Sequence, residues 1–141
     1  MTALTDAAPV AATPRLTMVG LLRALLLTEA AAGLVLAIAL SLIASAVGDR
    51  SGIGEETNVR FAAGGAFLFA LFAAIASRGA RRRRGWSWTM AAILQVLLAI
   101  GTGVAIMVAE WHPAYLVGFG LATAVMLVLS AASVRRALGQ A

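Results

Sequence analysis

Residues 24–47 read ALLLTEAAAGLVLAIALSLIASAV, an apolar run broken by one formal charge, Glu29. At 1.5 Å per residue a helix over this run reaches about 36 Å, more than the ~30 Å hydrocarbon thickness of a bilayer. Three further runs of the same kind follow, at about 59–77, 88–109 and 114–134. Barrel strands would alternate polar and apolar over about 10 residues. These runs are longer and continuous, and a helix satisfies each backbone group within its own segment. The reading is therefore an all-α membrane protein, four transmembrane helices in an antiparallel up-down-up-down arrangement, with short connections making chain neighbours into spatial neighbours.

Composition agrees. Of 141 residues 62% are hydrophobic and 12% charged, against about 45–50% and 25% in soluble domains. A soluble chain this short has too little interior to hide that much apolar surface. The run at 24–47 is also longer than the usual 7–15-residue signal core, and it carries Glu29, so it reads as a retained span although Ala44-Ser45-Ala46 has the small-residue look of a cleavage site. Residues 1–15, rich in Ala, Thr and Pro, read as a disordered cytoplasmic tail, leaving 16–141 as one four-helix transmembrane domain.

Charge sets the orientation. The net charge is +5 and every basic residue is arginine. With the N-terminus inside, Arg15, Arg23, Arg78, Arg81, Arg82, Arg83, Arg84, Arg135 and Arg136 all fall on the cytoplasmic side, and only Arg50 and Arg60 fall outside, beside Asp49, Glu55, Glu56 and Glu110. The positive-inside rule then puts both termini in the cytoplasm of a plasma-membrane protein, and so lopsided a pattern argues against dual topology. Arginines next to apolar runs read as topology control or headgroup contact, with no nucleic acid as partner. The loop at 78–86, holding Arg78, Arg81, Arg82, Arg83 and Arg84, is the expected anchor.

Two polar side chains stand inside the spans. Glu29 lies six positions beyond Arg23, about 9 Å deeper along the axis. A membrane carboxyl must face protein or water and be paired or protonated. It is a candidate proton or cation site, or a structural acid bonded inside the bundle. Gln95 lies about 10 Å beyond Trp88 on a span running the same way, and Ser130 precedes Arg135 by five positions. Glu29, Gln95 and Ser130 are thus expected to share one inner-leaflet polar layer, with bonds worth about 0.6–2 kcal/mol, which is helix adhesion rather than catalysis.

Other features carry less. Small residues recur four apart at Ala62, Ala66, Ala70 and Ala74, at Gly101, Ala105 and Ala109, and at Gly118 with Ala122 and Gly120 with Ala124, a pattern that lets helices approach closely. Trp86, Trp88, Trp111 and Tyr115 lie at span ends as an interfacial aromatic belt. His112 beside Glu110 is too few ligands for zinc. With one histidine and no cysteine, disulfides, thiolate metal sites and most haem or metal centres are excluded, and no nucleotide loop or catalytic triad is present. No cofactor and no enzymatic activity are expected.

Two stretches carry a resemblance. Thr28-Glu29-Ala30 opens the first span, and the basic run Arg78 to Arg84 leads through Gly85-Trp86-Ser87 to Ala91-Ala92-Ile93-Leu94-Gln95. In these the chain resembles a group of small, uncharacterised four-helix integral membrane proteins of actinobacteria, whose members often have Ser-Pro where Thr89-Met90 stand here. The resemblance implies a membrane fold and no activity. The chain is also similar in length, span number and first-span glutamate to small multidrug transporters, and departs from them around Glu29 and in its arginine bias. Two functions are expected from different classes. One is an accessory or interaction protein that binds lipid and another membrane protein or a second copy of itself. The other is a small proton-coupled transporter using Glu29.

Overall fold

The computed structural model describes residues 17–48, 53–108 and 114–140. They are helical almost throughout: α1 Met18–Gly48, α2 Ile53–Arg81, α3 Trp86–Val108, α4 Ala114–Ser130 and α5 Ala132–Ala137. Three helices are long and apolar enough to cross a membrane, within Met18–Ala46, Thr57–Arg81 and Trp86–Met107. The fourth apolar helix, Tyr115–Ser130, is shorter. Its parent α4 has 17 residues, about 25 Å of helix. The expected tail at 1–15 lies outside the described residues, as do Trp111, His112 and Glu110.

Three boundaries differ from the hydropathy reading. α2 starts at Ile53, so the expected loop through Asn58 is mostly helix, and Glu55 and Glu56 fall in its first turn. Hydropathy marks the oily part of a helix; its hydrogen bonds continue into the interface at no cost. α1 likewise begins at Met18, well before Ala24. The fourth apolar helix stops at Ser130 instead of running to 134, because Ala131 is extended (φ −61°, ψ 129°) and α5 turns away.

α1 packs along α2 and α3 along α4, while α2 touches α3 and α4 closes on α1. Trp88 reaches Leu129, and Thr102 lies by Gly118, so α3 and α4 run antiparallel. The seams advance by three or four residues at a time, with one step of seven near the end of α1. On α1 the seam is Leu22, Leu26, Glu29, Gly33, Ala37 and Ala44; on α2 it is Ala63, Ala66, Ala70, Ala73, Ser77 and Ala80. Such spacing keeps one face toward a neighbour crossing at a shallow angle. The four-apart stripe on α2 is not the seam: Ala62 and Ala74 are exposed, since each step of four rotates about 40° past a full turn. Where α1 meets α2 the backbones are close, and a Cβ on Gly33 would stand 3.2 Å from Ala70 Cβ and 3.3 Å from Ala66 O.

Packing is uneven along the helices. One buried cluster joins Leu22, Leu26, Ala73, Ala76, Ala80, Ala91, Leu94, Val125, Leu129, Val134 and Leu138, drawing on all five helices, and all of it lies in the half next to the arginine loop. In the other half a Cβ added to Gly64, Gly65, Gly101, Gly103 or Gly120 would meet nothing within 4 Å.

Candidate functional site

Glu29 occupies a seam position on α1, so its carboxyl points inward, where Leu26 and Leu22 point one and two turns earlier. On α3, Ser87, Ala91, Leu94 and Gln95 form the inward face. The two polar side chains meet: Gln95 Nε2 donates to Glu29 Oε2 at 2.8 Å. Glu29 is 3% exposed and Gln95 1%. A short, enclosed bond of this kind is strengthened by its surroundings, and either partner left alone would be costly. Two acceptors stay free, because Glu29 Oε1 and Gln95 Oε1 are buried with no hydrogen-bond donor among the described residues. The pair can therefore accept a proton or a small cation at those oxygens. A carboxyl and a carboxamide are too few ligands for a zinc site, and no group of three or more metal-ligating side chains occurs among the described residues.

Ser130 does not join this pair. It is exposed, and its hydroxyl donates back to Leu127 O at 2.7 Å. Depth alone suggested the layer. Rotation about α4 decides otherwise: Ser130 follows the inward Leu129 by one residue, about 100° around the helix. Thr28, beside Glu29, is exposed and bonds to Ala24 O at 3.0 Å.

The residue that ties this end together is Trp88. Its indole Nε1 donates to Leu129 O at 3.0 Å, just before the bend at Ala131. A bend strips main-chain carbonyls of their helical donors, and inside a bilayer each must find another. Trp88 supplies one, so it belongs to the packing as much as to an aromatic belt. The bend brings Val134 and Leu138 back onto the cluster with Leu22 and Leu26. Gln140 Nε2 then donates to Gly85 O at 3.3 Å, which docks the segment after α5 on the arginine loop.

The loop is built tightly. Arg84 N donates to Gly79 O at 3.1 Å and Arg83 N to Ala80 O at 3.1 Å, closing α2 with Arg83 at a φ of 50°. α5 ends in the same way, with Gln140 N on Arg135 O at 2.8 Å and Gly139 N on Arg136 O at 3.2 Å, but there the left-handed residue is glycine, φ 70°. Gly79 is required by contact: a Cβ would lie 2.7 Å from Trp86 Cη2 and 2.8 Å from Ser87 Cβ. Arg78, Arg81, Arg82, Arg83 and Arg84 are all exposed at this end, with Arg135 and Arg136.

No protein family, curated protein or solved structure matches the chain.

Proposed function

We propose that this chain is an integral plasma-membrane protein, crossing four times with both termini cytoplasmic, and that it works as a non-enzymatic accessory protein that binds other transmembrane helices. The uneven packing carries the reading. In one half five helices share a core. In the other, glycines on α2, α3 and α4 face open space within the chain. Small residues on an uncovered membrane helix favour close approach by another helix, since lipid gives no hydrophobic drive and van der Waals fit decides. The orientation rests on the arginine loop lying at the same end as Arg135 and Arg136. A four-helix crossing asks α4 to span with about 25 Å of helix, which slight bilayer thinning accommodates.

The test is gentle extraction from native membranes, with identification of co-purifying proteins, for the native chain and for Gly64→Leu with Gly101→Leu. The expected outcome is a partner that the double variant loses while its own fold is kept. A chain that purifies alone, or a partner indifferent to both leucines, removes the reading.

The second reading is a small proton-coupled transporter, favoured by the two unpartnered oxygens at Glu29 and Gln95. Glu29→Gln in vesicles decides it. Proton-dependent solute uptake must be present in the native chain and abolished in the variant. Otherwise the pair is structural.

A further inference from the structure

Glu29 and Gln95 meet through a hydrogen bond whose flanking atoms are unsatisfied. Gln95 Nε2 donates to Glu29 Oε2 at 2.8 Å. The other oxygen of each group, Glu29 Oε1 and Gln95 Oε1, is buried and meets no donor among the described residues. Each of these oxygens shares a carbon with one atom of the existing bond, so both lie beside it. The defect is matched: two acceptors next to one bond, and no hydrogen for either.

Turning the amide over does not repair it. Gln95 Oε1 would then face Glu29 Oε2 across the 2.8 Å contact, acceptor against acceptor. In either orientation the two groups together lack one hydrogen. One turn to either side stand Leu26 and Gly33 on α1 and Ala91 and Leu98 on α3, whose side chains carry no donor. An ionised carboxyl would bring about four lone-pair sites into this seam, with a single N–H bond to answer them.

A proton on the carboxyl removes both defects at once. A carboxylic acid is a donor beside an acceptor, and a primary amide presents the same two in reverse. With hydrogen on Glu29 Oε1, the two groups become complementary along both edges.

We propose that the Glu29–Gln95 pair is a binding site for a single proton, carried by Glu29 Oε1 and donated to Gln95 Oε1, which closes a ring of two hydrogen bonds between α1 and α3. α1 packs along α2 and α3 along α4, so the bound proton is part of what clasps the two helical pairs together. The inference stands on the bond and the two oxygens. It holds whether the chain moves solute or only packs against other helices.

The experiment takes the full chain in nanodiscs at neutral pH and records the infrared difference between the native protein and Glu29→Gln. The expected difference is the C=O stretch of a carboxylic acid, which shifts in heavy water and shifts again when Gln95→Leu removes the acceptor. The exchanged pair, Glu29→Gln with Gln95→Glu, keeps one acid and one amide at reversed positions. It should show an acid band of its own, and its unfolding equilibrium in rising denaturing detergent should stay within about threefold of native. Carboxylate bands alone in the native difference overturn the proposal. A shift of those bands between sodium and potassium buffers would give the two oxygens to a metal cation instead. An acid band unmoved by Gln95→Leu also overturns it, because the hydrogen is then not shared. If Gln95→Leu does not fold, the exchanged pair carries the test: a larger loss of stability there, or no acid band, refutes the ring.

Discussion

The bond between Glu29 and Gln95 makes a quantitative prediction. Replacing either residue by leucine leaves the other polar group buried, 1–3% exposed, without its partner. Each single variant should therefore lose about 1–3 kcal/mol, the cost of an orphaned buried group. Replacing both removes the orphan as well as the bond, so the double variant should lose much less than the sum. The difference is the coupling energy. Hydrogen bonds between membrane helices average about 0.6 kcal/mol and reach about 1.7 kcal/mol, and an enclosed 2.8 Å bond belongs toward the upper value. A coupling of about 1.4 kcal/mol is tenfold in the unfolding equilibrium. The assay is unfolding in mixed micelles with rising denaturing detergent, followed by far-ultraviolet circular dichroism, on the four proteins of the cycle. Glu29→Gln is the internal control: its amide oxygen can accept from Gln95 Nε2 and its amide nitrogen can donate to Gln95 Oε1, so it should stay within about 0.5 kcal/mol of native. Additivity within about 0.3–0.5 kcal/mol would refute the pairing, and so would a Glu29→Gln variant as damaged as Glu29→Leu.

Three further sets of variants test the packing. Gly79→Ala places a Cβ 2.7 Å from the Trp86 ring and should cost about 1–3 kcal/mol, whereas Gly64→Ala, with open space around it, should stabilise by about 0.5–1 kcal/mol; detergent unfolding midpoints measure both. Trp88→Phe removes the donor to Leu129 O, so it should cost about 1 kcal/mol and speed hydrogen exchange at 131–138 before the rest of the chain. Arg83→Gly relaxes a left-handed arginine, worth about 1–2 kcal/mol, against about 0.4–1 kcal/mol of added unfolded-chain entropy, so a net gain of up to about 1 kcal/mol is expected by the same unfolding assay, while Gly139→Ala, the matching position after α5, should lose stability.

How much of this was readable in the sequence depends on which physical quantity decides each feature. Apolar run length decides helix existence, so α1, α2 and α3 were legible, and burial cost alone pointed Glu29 and Gln95 inward. Depth could be counted along each axis, but rotation could not, and Ser130 fell to that difference. The end of α4 was hidden because Val134 and Leu138 are as apolar as a continuing span would be; they return to the core through the bend at Ala131. The tight loop left a faint trace in Gly79, a glycine near the end of a helix with a tryptophan seven residues on. Nothing in the sequence marks Arg83 as left-handed, since glycine is the residue such a cap favours.

Glu29 sits at an informative place in this packing. Its seam on α1 runs from the shared core at Leu22 and Leu26 to the alanines and glycine that touch α2. The α2 seam that α1 packs against is alanine at five of its six positions, and alanine faces slide past one another with little penalty because each turn looks like the next. Among the described residues, the side-chain hydrogen bond that links α1 to α3 joins two polar groups. A lone polar pair in a helix seam is a known means of fixing register at some cost in stability. The cycle above therefore has a second readout. Glu29→Leu with Gln95→Leu should recover most of the stability that either single change loses, yet let α1 settle at more than one height against α3. Methyl spectra of Val125 and Leu129, which pack in the adjacent core, should show one set of signals in the native chain and several in the double variant. A single sharp set in the double variant would mean that the small-residue seams hold register unaided, and that the Glu29–Gln95 pair is kept for what its two free oxygens can bind.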